Sequence, residues 1–462
     1  MAYKTIYPFT NETLKEYANH TDAELEQAIA AGHALYKKWR CENNLDERKA
    51  QLHKVADLLR RDVDKYAEVI TKDMGKLIGE AKGEVLLCAD IADYYADKAD
   101  EFLKPQVLET AAGEAYYIKQ SIGVIFAVEP WNFPFYQVMR VFAPNFIAGN
   151  PMLLKHASCC PGSAVAFEDL VREAGVEDGA FKNLFISYEQ VSISDKRIAG
   201  ACLTGSERGG ASIAEEAGRN LKKSSLELGG NDAFIVLDDA DMDEVKAVMN
   251  FARLFNAGQV CTSSKRFIVT EKNYDRFVKD LVEVFSQAKW GDPMDPSTTL
   301  APLSSAQAKK DVLKAIEVAV ANGAVVEYGN KPIDHPGNFV MPTVITGIDK
   351  NNPLYNKEVF GPVGEVYKVK DEAEAIALAN DSSYGLGGTV FSSNLDHARE
   401  VAAQIETGMS FINSGWTSLP ELPFGGIKNS GYGRELSELG FTTFINEHLV
   451  FTPKAVVEKH KA

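Results

Sequence analysis

The pattern that most constrains the fold of this chain is an alternation of short β-rich runs with helical segments, which begins near Ala115. Such alternation is typical of parallel strands joined by crossover helices, so it predicts an α/β fold with a Rossmann-type sheet. The candidate strands are residues 122–128, 152–155, 183–186 and 201–203. The candidate crossover helices are residues 162–174 and 209–221.

Two further stretches flank this sheet. From Thr21 to about Glu101, apolar residues recur at three- and four-residue spacing between charged ones, which predicts a helical lead-in. Beyond Gly229 a second alternation begins, with candidate strands at 233–237, 266–270 and 324–328 and an amphipathic helix at 274–285. Because no Pro- or Ser-rich linker separates the two alternating regions, we expect two α/β domains that pack around a shared cleft.

Composition narrows the class of protein. A length of 462 residues with 45% apolar content is sufficient for two or three domains. The six cysteines lack paired spacing, which favours free thiols in a reducing compartment and gives no structural metal site. No signal-peptide pattern or long uncharged apolar run is present, so we expect a cytoplasmic protein. The net charge of −16 opposes binding to nucleic acid or to an anionic membrane.

Three segments carry residues suited to catalysis. Cys261 follows a small glycine-containing turn, Glu227 lies between two leucines and runs into a glycine pair, and Asn132 is bracketed by two prolines. A thiolate is a nucleophile, a carboxylate in an apolar setting can be a general base, and a fixed amide can stabilise an oxyanion. Taken singly, each also fits an ordinary role: a buried thiol, a strand glutamate and a turn asparagine.

Together with four other motifs, these segments resemble the aldehyde dehydrogenase superfamily. The motifs occur in the family's order: PWNFP, a Lys-bearing strand, TGS with a later Gly, ELGG, GQxC, EVFGP and PFGGxKxSGxGRE. The resemblance spans residues 21–453 and is strongest to compact bacterial succinate-semialdehyde dehydrogenases. It implies a Rossmann-like cofactor domain (1–103 and 121–228), a catalytic domain (229–440) and a small β arm for oligomerisation (104–120 and 441–462). Homodimers or homotetramers are then expected.

The resemblance also implies roles for individual residues. Cys261 would be the nucleophile that forms a thioester, Asn132 and the Cys261 backbone N–H would hold the oxyanion, and Glu227 would activate the hydrolytic water. Glu435 would be a proton relay behind that base. The residues expected to bind NAD or NADP are Trp131, Lys155, Ser158, Gly205, Ser206, Gly210, Glu358 and Phe360.

Cofactor choice and substrate remain open at this stage. Ser158 stands where many NAD-selective relatives carry a glutamate, and a serine can donate to a 2′-phosphate, so NADP is permitted. Arg140 matches an arginine that binds the substrate carboxylate in succinate-semialdehyde dehydrogenases, although a surface helix arginine would look the same. Ser418 falls near the position of a serine that assists the arginine in those enzymes. Phe255 replaces a second arginine and could favour a more apolar aldehyde.

The alternatives are therefore an aldehyde dehydrogenase for other aliphatic or aromatic aldehydes, and a non-catalytic protein of the same fold. The second predicts loss of the nucleophile or base, whereas Cys261 and Glu227 are both present. A thiol hydrolase is less favoured because no histidine base is readable near Cys261.

Overall fold

Helices precede the first large sheet, as the sequence predicts. The computed structural model describes residues 2–42 and 44–461; positions 1, 43 and 462, which fall in the predicted domain ranges, lie outside the described residues. A hairpin that the sequence analysis did not predict comes first, and four helices follow: β1 (Tyr3–Tyr7), β2 (Glu12–Tyr17), α1 (Asp22–Cys41), α2 (Leu45–Arg61), α3 (Val63–Met74) and α4 (Ile78–Leu103). Thr21 and Glu24 start α1 with reciprocal hydrogen bonds between side chain and backbone.

The next segment contains two strands of the arm and most of the first α/β unit. Its elements are β3 (Gln106–Leu108), β4 (Gly113–Ser121), β5 (Val124–Glu129), α5 (Tyr136–Ala148), β6 (Met152–His156), α6 (Pro161–Glu173), β7 (Phe181–Asn183), β8 (Ile198–Thr204), α7 (Glu207–Arg219) and β9 (Lys223–Glu227). All residues of α5 are buried, which sets it apart from the amphipathic α7.

The second α/β unit follows β9. Its elements are β10 (Asp232–Val236), α8 (Met242–Leu254), β11 (Ser264–Thr270), α9 (Glu271–Ser286), α10 (Ala306–Ala321), β12 (Val325–Tyr328), β13 (Thr343–Thr346), β14 (Val363–Val369), α11 (Glu372–Asn380), β15 (Tyr384–Gly385), β16 (Gly388–Phe391), α12 (Leu395–Ala402) and β17 (Phe411–Ile412). The last elements are β18 (Ile427–Lys428), β19 (Gly431–Tyr432), α13 (Ser437–Thr442), β20 (Ile445–Pro453) and α14 (Lys454–Lys461).

Two large sheets form the body of the molecule. The first has the strand order β19-β9-β8-β5-β6-β7 and is parallel except for β19, and the second has the order β12-β13-β14-β11-β10-β16-β17 and is parallel except for β12. The change of sheet falls between β9, which ends at Glu227, and β10, which begins at Asp232, and the domain bounds stay a prediction. However, β19 pairs with β9 in the first sheet, although its residues lie in the range predicted for the catalytic domain.

The predicted strand at 183–186 is displaced. The structure ends β7 at Asn183, because the Phe185 backbone N–H donates to the His20 ring and its carbonyl accepts from the His20 backbone N–H, each at 2.8 Å. Leu184 and Ile186 are still fully buried, so their apolar character reflects core packing rather than strand pairing.

A separate antiparallel sheet has the order β20-β4-β3, at the two stretches predicted to form the arm. Several of its large apolar side chains are exposed: Val107, Leu449 and Phe451. Across the described ranges, no helix combines the length and the apolar character needed to cross a membrane.

Candidate active site

The loop before Cys261 has an unusual backbone. A short 3₁₀ helix (Phe255–Gly258) contains Asn256 at φ 52° and Ala257 at φ 53°, and Gly258 follows at φ 74°. Left-handed φ values cost free energy for residues other than glycine, so surrounding contacts must hold the loop. The Glu80 carboxylate accepts from the Asn256 backbone N–H at 3.1 Å, and the buried Arg253 guanidinium donates to the Gly258 carbonyl at 3.2 Å.

This loop places Cys261 where two cavities meet. One cavity has a volume of about 380 Å³ and the other about 240 Å³, and both are lined by Cys261 and Gln137. The walls of the larger cavity carry six aromatic side chains: Phe133, Tyr136, Phe251, Phe255, Trp416 and Phe424. A substrate in one cavity and a second ligand in the other could therefore both contact Cys261.

Burial and charge act on the Cys261 thiol in opposite directions. Burial raises the pKa of the thiol to about 12, because the thiolate loses hydration, while the positive charges of Lys265 and Arg140 lower it. In this arrangement the effect of burial is larger than that of the two positive charges, so the neutral thiol is favoured.

Asn132 shares the smaller cavity with Cys261, and its role as an oxyanion donor stays a prediction. It lines the smaller cavity, is almost fully buried, and its side-chain amide donates to the Gln259 carbonyl at 3.2 Å. Its own carbonyl accepts from the Asn256 side chain at 3.0 Å, which ties it to the cysteine loop. An amide nitrogen has two N–H groups, so one is still available to a ligand oxygen.

Glu227 is at the end of β9, in a different setting from that of Cys261. It lines neither cavity, and its oxygen Oε1 would lie 2.6 Å from a Cβ placed on Gly425. Both carboxylate oxygens are buried without a hydrogen-bond partner among the described residues. Burial, and next the nearby charge of Glu435, raise the pKa of Glu227 well above its usual range, whereas Arg140 opposes this.

Arg140 is not a surface residue, and it does not line either cavity. It lies on the buried helix α5, and its Nε forms an ion pair with the Glu435 carboxylate. Its Nη1 donates to the Tyr136 hydroxyl at 3.2 Å, and that hydroxyl lies 2.6 Å from Ser418 Oγ. Contact of Arg140 with a substrate carboxylate stays a prediction, and in this arrangement its side chain lines neither cavity. Tyr136 and Ser418 line the larger cavity, and the Tyr136 hydroxyl connects them to the Arg140 guanidinium outside it.

Phe255 is part of an aromatic cluster in that cavity. Its ring stacks at 6.3 Å on Phe133 and meets Trp416 edge-on at 5.4 Å, while Phe251 stacks on Trp416 at 4.8 Å. Such pairs add to the free energy of burial and fix the wall in shape.

The smaller cavity has the features of a dinucleotide site. Ser206 caps α7 by accepting from the Gly209 N–H at 3.3 Å, and Gly205 and Ser206 line the cavity at this helix start, where backbone N–H groups suit a phosphate. Gly210 allows α7 to approach β9, because a Cβ there would lie 2.7 Å from Leu228. The opposite walls carry three more predicted residues: Trp131, Glu358 and Phe360. The residues present therefore fit a nicotinamide dinucleotide.

Lys155 and Ser158 lie apart from this cavity, near the end of β6. The Lys155 ammonium is buried and stands 3.9 Å above the Tyr188 ring. Burial lowers the pKa of Lys155 to about 8. Ser158 is half-buried two residues beyond β6.

The sequence analysis missed Lys265 and Tyr136. Lys265 is the second residue of β11 and stands next to Arg266, and a Lys-Arg pair normally indicates a solvated end, yet both are buried here. The only available signal was the apolar run that follows them. Tyr136 stood within the motif region but carried no feature that pointed to a hydroxyl in the cavity.

Comparison with known proteins gives the class to which this site belongs. A model of the aldehyde dehydrogenase family matches residues 1–450, and the chain belongs to that family, as the sequence analysis predicted. The crystal structure of a succinic semialdehyde dehydrogenase from Streptococcus pyogenes, in complex with NADP+, is 71% identical and superposes with a TM-score of 0.97, over 98% of this chain and all of that one. 

Two further relatives are named succinate-semialdehyde dehydrogenase [NADP(+)]. The protein from Deinococcus radiodurans is 47% identical over 451 residues, which is 97% of this chain and 94% of the relative. The protein from Mycobacterium avium is 41% identical over 456 residues, which is 98% of this chain and 97% of the relative.

Proposed function

We propose that this chain oxidises succinate semialdehyde to succinate, with NADP+ as the electron acceptor, through a thioester on Cys261. The observation that carries the proposal is the position of Cys261 at the meeting point of the two cavities, one aromatic with a pair of hydroxyls, the other fitted to a dinucleotide. The names of the relatives support the substrate and the cofactor.

The residues would act in sequence. The Cys261 thiolate attacks the aldehyde carbon, and Asn132 with the Cys261 backbone N–H stabilises the oxyanion. Trp131, Glu358 and Phe360 would hold the cofactor in the smaller cavity, and NADP+ would supply the acceptor for the hydride that leaves the thiohemiacetal carbon. Glu227 then removes a proton from water as it attacks the thioester, the thiolate leaves, and Glu435 passes the proton outward. Because Glu227 lines neither cavity in this structure, its side chain must turn toward Cys261 for that step.

Recognition of the substrate carboxylate would fall to the hydroxyl groups of Tyr136 and Ser418. They stand 2.6 Å apart in the larger cavity, and Arg140 donates to Tyr136 from behind. Hydrogen bonds to a charged group are stronger than those to a neutral one, so this pair favours a carboxylate over an alkyl end.

The cofactor would span the smaller cavity and extend to Lys155 and Ser158. A lysine charge and a serine hydroxyl, with no carboxylate at position 158, suit a ribose that carries a 2′-phosphate. NAD+ lacks that phosphate and would bind less tightly.

The sheet β20-β4-β3 would be an oligomerisation arm. One of its faces exposes 59% of Leu449, 46% of Phe451 and 42% of Leu108, and neighbouring exposed apolar side chains are typical of an interaction surface. We place the cofactor domain at 1–103 and 121–228 with the addition of β19, and the catalytic domain in the rest of 229–440.

A panel of initial rates tests the substrate and cofactor. Succinate semialdehyde, glutarate semialdehyde and butanal are each compared with NAD+ and with NADP+. We expect the highest kcat/KM for succinate semialdehyde with NADP+, and no turnover by Cys261→Ala. Cofactor reduction by Cys261→Ala with any aldehyde would contradict the thioester, and a preference for butanal would contradict the substrate.

A second candidate is an aldehyde dehydrogenase for uncharged aromatic aldehydes. The cluster of Phe133, Phe251, Phe255 and Trp416 favours it, because flat rings pack well against such a wall. Benzaldehyde, added to the same panel, decides between the two.

A further inference from the structure

Lys265 is a fully buried cation whose hydrogen-bonding capacity is met within the site. Its ammonium donates to the Val260 carbonyl at 2.8 Å and to the Cys261 carbonyl, and it pairs with the Glu358 carboxylate at 3.1 Å. An ammonium group has three N–H donors, and these three oxygens match them. A buried charge is tolerated only when it is fully paired, so these three oxygens fix the location of the Lys265 ammonium.

Both ends of this arrangement belong to the active site. Cys261 lines both cavities, while Glu358 lines the smaller one and accepts from the Gly230 backbone N–H at 3.2 Å. A Cβ placed on Gly229 would lie 2.5 Å from Glu358 Oε2, so the carboxylate packs against bare backbone. Lys265 therefore joins the nucleophile loop to a carboxylate in the wall of the cofactor cavity.

We propose that Lys265 is a positioning residue that holds the Cys261 peptide and the Glu358 carboxylate in one arrangement and supplies positive charge behind the nucleophile. The proposal goes beyond the proposed function and rests on it only in taking Cys261 as the nucleophile.

Four charged groups face the thiol from the surrounding elements. Lys265 on β11 and Arg140 on α5 lower the pKa of Cys261, and Glu358 and Asp232 raise it. Lys265 has the largest lowering effect, and without it Glu358 would be an unpaired negative charge close to the thiolate.

Arg253 cannot replace it. The Arg253 guanidinium already donates to the carbonyls of Val363, Val359 and Gly258 and to the Ser263 hydroxyl. It is also not among the four charges that affect the pKa of the thiol most. Arg253 thus holds the backbone of the loop, whereas Lys265 sets its electrostatics.

The test is the rate at which iodoacetamide alkylates Cys261 in the full chain, measured from pH 6 to 10 by mass spectrometry of the Cys261 peptide. We expect Lys265→Met to react on the order of tenfold more slowly at pH 8, with its profile displaced to higher pH. Lys265→Arg, which keeps the charge, should recover most of the rate. NADP+ should also bind Lys265→Met less tightly, as measured by intrinsic fluorescence.

Two variants separate positioning from a loss of folding. Lys265→Met/Glu358→Gln leaves no unpaired carboxylate, so it should fold. Because loss of Glu358 alone lowers the pKa of the thiol, its comparison is Glu358→Gln, and the double variant should react more slowly than that single variant. Lys119→Met removes another buried lysine, on β4, which pairs with Glu438 of α13 at 2.6 Å, and should alkylate like the wild type. A folded Lys265→Met with the wild-type rate and pH profile would overturn the proposal, and so would a double variant that reacts as fast as Glu358→Gln.

The wild type distinguishes this failure from that of the proposed function. If alkylated wild type still oxidises aldehyde, Cys261 is not the nucleophile and both proposals fail. If alkylation abolishes turnover but Lys265→Met keeps the wild-type profile, only the assignment of Lys265 fails.

Discussion

The two cavities that meet at Cys261 are built from different parts of the chain. The larger is walled by aromatic side chains that contact one another, such as Phe251 and Trp416. The smaller combines two short residues just before α7, Gly205 and Ser206, with larger side chains such as Trp131 and Phe360. Substitution can reshape the aromatic walls of the larger cavity, whereas the smaller cavity also depends on backbone N–H groups at a helix start, which most substitutions leave in place.

The largest expected effect comes from a residue in neither cavity. Glu227→Gln should lower steady-state kcat by about 10²- to 10⁴-fold, because the thioester loses its general base. A burst of one NADPH per active site should remain, since the base acts after the thioester forms. Stopped-flow absorbance of NADPH measures both phases. An equal loss of the burst and of the steady-state rate would show that Glu227 acts before the thioester forms. Glu227 would then act together with the residues of the two cavities and not as a separate base.

Within the larger cavity, the hydroxyl pair should matter only to a charged substrate. Ser418→Ala should raise KM for succinate semialdehyde by about tenfold or more, as expected when a hydrogen bond to a charged group is lost. KM for butanal should change little. Tyr136→Phe removes the other hydroxyl of the pair, and it should also raise KM for succinate semialdehyde more than KM for butanal. Similar changes in KM for both aldehydes would show that the two hydroxyls shape the cavity but do not bind the substrate carboxylate.

On the cofactor side, binding should depend on pH through Lys155. Burial lowers the pKa of Lys155 to about 8, so its positive charge is present below that pH and lost above it. Kd for NADP+ should therefore rise above pH 8, by about tenfold per pH unit until the pKa of Lys155 in the complex is passed. Kd for NAD+ should change less. Fluorescence titration of both cofactors from pH 6 to 10 checks this, and parallel curves would exclude Lys155 from the phosphate site.

The smallest effect is expected from the aromatic wall. Phe255→Leu removes one ring from the stack with Phe133 and should lower kcat/KM for benzaldehyde by about two- to tenfold, as is usual for an aromatic pair. Succinate semialdehyde should be affected less. If both substrates lose equally, the wall positions Cys261 and does not select the aldehyde.

The large-scale fold could be predicted because buried strands and amphipathic helices leave periodic patterns. The helical lead-in, both α/β units and the arm follow from such patterns and from the family motifs. The hairpin of β1 and β2 could not be predicted, because β2 (Glu12–Tyr17) is exposed and polar with no alternation. The two residues of β19 lie in a glycine-rich segment, where pairing depends on a partner that is distant in sequence.

The site was predictable in its motifs but not in its charge pairing. Cys261, Asn132, Ser206 and Glu358 each stand in a short segment with its own local signal, and the structure brings them to one cavity, while their roles stay predictions. The partner of Arg140 is Glu435, from the other end of the chain, and no local pattern reveals that the two meet in the core.

The left-handed turn at 256–258 limits how this enzyme can be altered. A side chain on Gly258 would clash with the carbonyl of Gly361, which follows Phe360 in the wall of the smaller cavity. A change made there to accommodate a new aldehyde would thus also move the cofactor wall. Directed evolution of the substrate range should leave these three positions fixed and draw its diversity from Phe251, Phe255 and Trp416.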